Sequence, residues 1–258
     1  MKGNNKVVLI TGAVRNSGLC FAHKFAQEGY DVCITSRDAE QAASTAEAIS
    51  QQYGVKAMGF GLDLEDTADI RRVFAEIFGT FGRLDAFIGN SVNQGVGIAA
   101  ADITEAEYDS VMNVNVKGNF FCSQEAYKIM REQRSGCIVL IGSVHARGAA
   151  YGRSTYAMSK GAISSLVRNL AFEFAESGVR VNSVVPGAIR TERWDSYPPE
   201  EEARRRRNWP LGMESTGEDI ANAVYFIASD QCKTATGSEL VVDSGVLTCL
   251  LGYNGGKH

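Results

Sequence analysis

Tyr156 and Lys160 stand four residues apart in the run Tyr156-Ala157-Met158-Ser159-Lys160. On a helix that spacing puts both side chains on one face, with Cβ atoms about 5–6 Å apart. An unperturbed phenol titrates near about pH 10, and a neighbouring ammonium favours its ionised form. Bringing it to about pH 7 takes roughly 4 kcal/mol. One lysine and one further positive charge in a partly desolvated cleft can supply that. The pair is suited to exchanging a proton with a substrate oxygen. Tyr-x-x-x-Lys alone is common in helices, so its weight depends on its setting. Ser143 lies thirteen residues upstream of Tyr156, just past the apolar run 138–141.

A second signature opens the chain. The apolar run Val7–Ile10 leads directly into Thr11-Gly12-Ala13-Val14-Arg15-Asn16-Ser17-Gly18, and a helical pattern follows. A glycine-rich turn lets the backbone approach a pyrophosphate. The helix N-terminus behind it adds unpaired N–H groups and the positive end of a dipole.

Alternating elements position both signatures. Runs 7–10, 31–35, 56–62, 84–89, 137–141, 180–185 and 239–242 read as strands. Several are almost wholly apolar, as strands covered on both faces are. Between them, 19–28, 39–53, 67–78, 105–131 with a break, 156–177 and 218–228 read as helices. This alternation predicts an α/β fold: a Rossmann-like, doubly wound parallel sheet of about seven strands with helices on both faces. There is no repeat or low-complexity linker, so residues 1–258 read as one domain. Segment 191–215 breaks the rhythm with Trp194, Tyr197, Pro198-Pro199, an acidic-then-basic run and Trp209-Pro210. It reads as a substrate lid, with a packing or subunit-contact insertion as the alternative.

Taken in order, these residues resemble the short-chain dehydrogenase/reductase family, from Val7 to about Gly245. Thr11-Gly12-x-x-x-Asn16-x-Gly18 is similar to its Thr-Gly-x-x-x-Gly-x-Gly turn, with Asn16 in place of a glycine. Asn is the residue other than Gly that best tolerates positive φ. Asp63-Leu64 resembles the family's adenine-contacting pair. Gly89-Asn90-Ser91-Val92 occupies the place of Asn-Asn-Ala-Gly and keeps only the second Asn. Pro186-Gly187-Ala188-Ile189-Arg190-Thr191 resembles the segment that contacts the nicotinamide carboxamide. Ser143, Tyr156 and Lys160 have the family's spacing, and Asn115 in Asn115-Val116-Lys117-Gly118 matches its fourth catalytic residue.

The resemblance implies roles. Tyr156 exchanges the proton, and Ser143 hydrogen-bonds the same substrate oxygen. Lys160 lowers the Tyr156 pKa and holds the nicotinamide ribose. Asn115 supports a water that links Lys160 to solvent. The implied activity is interconversion of a secondary alcohol and a carbonyl, the hydride chemistry belonging to the nicotinamide. A catalytically weak NADP-binding regulator on the same fold is the alternative from another class, and an epimerase or dehydratase with bound cofactor is a third. An intact Ser143/Tyr156/Lys160 set favours the enzyme, since a pure binder needs no such tyrosine.

The cofactor expected is NADP(H). NAD-binding folds usually end the second strand on a carboxylate that accepts from the adenosine ribose. Here that place reads Ser36, then Arg37, with Arg15 in the glycine turn. Guanidiniums and a hydroxyl suit a 2′-phosphate. The expected cofactor set is Gly12, Arg15, Asn16, Gly18, Ser36, Arg37, Asp63, Leu64, Asn90, Tyr156, Lys160, Pro186, Gly187, Ile189 and Thr191.

Gln94, His145 and Arg153 are the candidate substrate residues. They resemble the carboxylate-binding set of the family's 3-hydroxybutyrate dehydrogenases, which carry Lys where this chain has Arg153. The substrate expected is a small hydroxy or oxo acid or another polar compound. Sugars, polyols and steroids stay open, because Trp194, Tyr197 and Trp209 suit such ligands by stacking. Arg204–Arg207 face either the cleft or solvent.

Bulk composition narrows the class. The chain has 258 residues, 45% hydrophobic and 22% charged, with net charge −4. That balance argues against nucleic acid as a partner. Its six cysteines form no Cys-x-x-Cys pair and read as reduced, buried thiols. His23, His145 and His258 are scattered, so no metal site is expected. With neither a signal peptide nor an apolar run of membrane-spanning length, a cytoplasmic protein is expected. The segments 115–131 and 156–177 look apolar on more than one face, which predicts association, and the family resemblance implies a homodimer or homotetramer with these two helices at the dimer interface.

Overall fold

The computed structural model describes residues 6–95 and 97–249. In chain order the principal elements are β1 Val7–Ile10, α1 Asn16–Gln27, β2 Asp31–Ser36, α2 Ala39–Tyr53, β3 Ala57–Gly61, α3 Thr67–Phe81, β4 Ala86–Gly89, α4 Glu105–Met112, α5 Asn119–Gln133, β5 Gly136–Ile141, α6 Ser154–Phe174, β6 Val179–Pro186, α7 Pro199–Arg206, α8 Gly217–Ala228 and β7 Glu239–Val242. The seven strands form one parallel sheet in the order β3-β2-β1-β4-β5-β6-β7. This is the doubly wound arrangement expected, with winding reversing between β1 and β4.

Strand period explains why the core is double. In β1, Val7 and Leu9 point to one side with Ile70, Phe74 and Phe87, while Val8 and Ile10 point to the other with Phe21, Phe25 and Val224. Alternate side chains of a strand face opposite ways, so burial on both faces demands an unbroken apolar run. Helices α3, α5 and α6 close the first side; α1, α2 and α8 close the second.

The break anticipated within 105–131 is a π-helical turn, Asn113–Gly118, between α4 and α5. A π-turn inserts an extra residue and re-aims the helix beyond it. Gly118 is required there, because a Cβ would lie 2.9 Å from the Cβ of Leu64.

Segment 191–215 is structured. A 3₁₀ turn, Glu192–Ser196, precedes α7, and Ile189 bridges Ser215 in parallel. Helix α7 starts at Pro199, carries Glu200–Glu202 in its first turn and has Arg204, Arg205 and Arg206 in its last. Acid first and base last complements the helix dipole, which is the physical sense of the charge run.

Of the cysteines, Cys33, Cys122 and Cys137 are buried as expected, whereas Cys20, Cys232 and Cys249 are only half-buried. All six are free thiols, and His258 lies outside the described residues.

Candidate active site

The C-terminal ends of β1, β4, β5 and β6 converge on one edge of the sheet, where ligands bind in such folds. Beyond β1 the glycine turn is wound so tightly that a Cβ on Gly18 would sit 2.3 Å from the Gly12 oxygen and 2.6 Å from Asn90 Nδ2. Gly12 takes φ +63° and Asn16 takes φ +50°. Asn16 thus adopts the left-handed conformation that its replacement of glycine required. No side chain caps α1 and no acid stands in its first turn, unlike α2, α3, α4 and α8, each capped by an Asp or Thr. A cradle of backbone with an uncapped helix end fits a pyrophosphate.

Asn90 braces this cradle. Its Nδ2 donates to the oxygens of Thr11 and Gly12, both at 3.0 Å, while Thr11 Oγ1 accepts from the N–H groups of Asn90 and Ser91. Its amide therefore shapes the turn from behind.

Ser36 ends β2, with Arg37 exposed next to it and Arg15 exposed across the turn. Asp38 is turned away, its Oδ1 accepting from the N–H of Gln41 as the cap of α2. Asp63 is exposed after β3, and Leu64 is buried against Gly118. Pro186 ends β6. Gly187 follows, its N–H donating to the Val242 oxygen, and Ile189 and Thr191 lead into the 3₁₀ turn Glu192–Ser196.

At the reacting end, α6 presents Tyr156 and the buried Lys160. Lys160 Nζ donates to the Ile141 oxygen at 2.6 Å, and burial pushes its ammonium down to about 8. Tyr156 is held above the ordinary phenol value by burial, against a hydrogen bond with Ser143 and the positive charge of Arg153. The guanidinium of Arg153 is a second cation beside the phenol, in addition to the expected lysine. Ser143 is buried at the end of β5 and accepts from the N–H of His145 at 3.2 Å.

Three groups frame the Tyr156 ring. The His145 ring meets it edge-on at 5.6 Å, the Arg153 guanidinium lies 5.9 Å from its centroid, and Lys160 Nζ lies 5.7 Å from it. Burial and Arg153 both lower the His145 pKa, which favours the neutral imidazole. Of the candidate substrate residues, His145 and Arg153 thus come together at Tyr156, while Gln94 is exposed in the adjoining loop.

Asn115 is buried in the π-turn. Its Oδ1 accepts from the N–H of Asn93 at 2.8 Å, and its Nδ2 donates to the Asn93 oxygen at 2.8 Å and to Ser159 Oγ at 3.0 Å. Ser159 Oγ in turn donates to the Tyr156 backbone oxygen at 2.7 Å. Asn93 and Ser159 were missed in the sequence. The available signal was a serine on a helix face that must be buried beside Lys160, a setting that demands an internal partner.

Segment 191–215 packs largely on itself. Trp194 is buried against Tyr197 and Trp209, and Arg205 lies 4.2 Å from the Tyr197 ring centroid. These aromatics pack on each other, with Trp194 buried and Tyr197 and Trp209 partly exposed. Arg204 and Arg205 pair with Glu201; Arg206 and Arg190 pair with the buried Glu214. Arg206 and, less strongly, Arg190 draw the Glu214 carboxyl down to about 2 from 4.5. A carboxyl with a depressed folded pKa stabilises above its unfolded value and loses that contribution as pH falls through the folded one. Glu214→Gln takes the charge from the acceptor shared by Arg190 and Arg206, at a cost of about 1.5–3 kcal/mol. The melting temperature is expected to drop by roughly 3–10 °C at neutral pH for a chain of this size. The gap between variant and parent should close as pH falls from 4.5 to about 2, read from thermal melts. An equal gap across that range would remove the pair from the anchorage of segment 191–215.

Comparison with known proteins places this geometry. A family model described as enoyl-(acyl carrier protein) reductase matches residues 12–247. The 2-(S)-hydroxypropyl-CoM dehydrogenase 3 of Xanthobacter autotrophicus is 36% identical over 94% of this chain and 96% of its own length. A solved short-chain dehydrogenase/reductase variant from Serratia marcescens superposes with TM-score 0.86 at 28% identity, covering 93% of this chain and 97% of its own. ElxO with NADP bound superposes with TM-score 0.89 at 29% identity, covering 96% and 100%.

Proposed function

The chain belongs to the short-chain dehydrogenase/reductase family, an oxidoreductase family acting on CH–OH and C=O groups, and from that premise we propose an NADP(H)-dependent enzyme that interconverts a secondary alcohol and a carbonyl bearing an anionic group. One observation carries the reaction class: the Tyr156 phenol hydrogen-bonded with Ser143, beside a buried lysine, at the ligand-binding sheet edge. When bound, the nicotinamide supplies or accepts the hydride.

The chain's own residues do the rest. In reduction, the Tyr156 hydroxyl gives its proton to the substrate oxygen as negative charge develops there. Ser143 donates to the same oxygen, held in place by the His145 N–H. Phenolate left on Tyr156 is stabilised by Arg153 and by Lys160, whose proton can replace the one given up. Oxidation runs the same path backwards, with the phenolate as base. Asn115 fixes the geometry by tying the loop at Asn93 to Ser159 and so to the Tyr156 turn.

The glycine cradle and α1 would hold the pyrophosphate, and Arg15, Ser36 and Arg37 would hold a 2′-phosphate. Asp38, which follows Arg37, caps α2 by accepting from the N–H of Gln41. Bound NADP in the similar ElxO structure agrees with this choice for its own part. Arg37→Ala is expected to lower kcat/KM for NADPH by about tenfold and for NADH by less than about twofold, as loss of one exposed charged hydrogen bond should. Equal or better use of NADH by the parent enzyme would refute the preference.

The anionic substrate rests on Arg153 and His145 flanking Tyr156, with the lid aromatics already packed together. We place the enzyme as a homodimer or homotetramer, from the apolar groove between α4–α5 and α6 lined by Met112, Val116, Phe120, Ala162 and Leu166. Among the described residues no helix is long and apolar enough to cross a membrane. The test of the whole reading is a panel of oxo acids, hydroxy acids, sugars, polyols and steroids, followed by NADPH absorbance. No change in absorbance with any of them would leave a nucleotide-binding protein without turnover.

A further inference from the structure

Gly89 ends β4 opposite Leu140, in the position where the resembled family carries the first Asn of Asn-Asn-Ala-Gly. The space beside it is filled from another element. A Cβ on Gly89 would fall 2.3 Å from Oδ1 of Asn119 and 2.6 Å from Cδ2 of Leu140. Asn119 is the first residue of α5, 5% exposed, and its Nδ2 donates to the Asn115 backbone oxygen at 2.8 Å. An asparagine carboxamide therefore sits in this corner after all, delivered by the helix in place of the strand.

We propose that Asn119 is a positioning residue for catalysis, supplying from α5 the carboxamide that Gly89 lacks and holding the π-turn so that Asn115 can align Tyr156. The inference rests on the oxidoreductase reading above. A π-turn leaves carbonyls without their usual i+4 amide partners, and a buried carbonyl needs one. Asn119 closes the Asn115 carbonyl from one turn further along. That leaves the Asn115 carboxamide to make its three bonds to Asn93 and Ser159, and Ser159 bonds the Tyr156 carbonyl. The relay from Asn119 to Tyr156 is four residues long, and every link is a hydrogen bond. Asn119 is not placed to touch substrate, so its effect must come through Asn115.

The test is a reciprocal swap. Asn119→Ala should lower kcat by about ten- to a hundredfold, as small misplacements of reacting groups do. NADPH affinity, by fluorescence titration, should stay within about twofold, because the glycine cradle lies on another element. Amide exchange at Asn93, whose N–H is held by Asn115 Oδ1, should speed up by about tenfold or more. Gly89→Asn alone should be damaging, since two carboxamides would claim one space. Gly89→Asn/Asn119→Ala should recover kcat to within about threefold of the parent. If Gly89→Asn fails to fold, Asn119→Leu decides, keeping the volume without the donor, and should match the alanine variant in kcat. Retention of kcat within about twofold by both the Ala and Leu variants overturns the proposal, as does unchanged exchange at Asn93. Failure of the parent to turn over any alcohol or carbonyl would sink the oxidoreductase reading instead, while exchange at Asn93 would still decide whether Asn119 holds the turn.

Discussion

Tyr156→Phe is expected to cut turnover by about 10²–10⁴-fold while NADPH still binds. The substitution keeps the ring, and with it the edge contact to His145 and the approaches of Arg153 and Lys160. It removes the hydroxyl and the hydrogen bond with Ser143. What is lost is therefore the proton carried by the phenol, and little packing. Pre-steady-state reduction monitored at the NADPH absorbance separates a slow chemical step from weak binding. The pH profile adds a second check. Burial keeps the phenol protonated through neutral pH, the form that reduction needs. Burial also drives Lys160 down to about 8, so its ammonium is lost as pH rises through that value. For the parent, kcat/KM in the reductive direction should fall above about 8. Near-normal turnover by the Phe variant at saturating substrate would remove Tyr156 from the chemistry.

The sheet could be read from the chain because parallel strands buried on both faces must be apolar throughout, and runs such as Val7–Ile10 and 137–141 have no other simple reading. Tyr156 and Lys160 were legible for a similar reason: helix spacing is local, and chemistry names the residue types. The glycine turn was legible up to Asn16, whose positive φ is a property of the residue itself. What escaped was non-local. Asn93 reaches Asn115 from the loop after β4, 22 residues away in the chain, and the π-turn that carries Asn115 between α4 and α5 leaves no mark on a pattern of period 3.6. Segment 191–215 was legible as irregular, but not as a folded piece in which Trp194, Tyr197 and Arg205 pack together. The role of Arg153 changed most. Its place three residues before Tyr156 suggested a substrate contact, and the structure adds that it acts electrostatically on both Tyr156 and His145.

Arg153→Ala is accordingly the second large effect expected: KM for an anionic substrate should rise by about 10- to 100-fold, the 1.5–3 kcal/mol scale of a hydrogen bond to a charged group. The guanidinium is half-buried against Tyr156 and has no carboxylate partner among the described residues. The arginines between 190 and 206 do: Arg190 and Arg206 hold Glu214, while Arg204 and Arg205 hold Glu201. Arg147, nearer in sequence, pairs with Glu239. An arginine left with its fork open in an active site is suited to two parallel bonds with a carboxylate, sulfonate or phosphate. His145, its pKa lowered by burial and by that same guanidinium, offers a neutral imidazole that does not compete for the anion. Two effects of Arg153 must be told apart, because it also lowers the Tyr156 pKa. Removing it should raise that pKa whatever the substrate, shifting the pH dependence of oxidation to higher pH. The anchoring effect should appear only where the substrate carries the anion. The comparison is therefore Arg153→Ala on the best anionic substrate and on its neutral amide or ester. A KM change below about threefold on the anion removes Arg153 as the anchor. An equal loss on both substrates assigns it to Tyr156 alone, and turnover confined to neutral sugars or steroids ends the anionic-substrate reading.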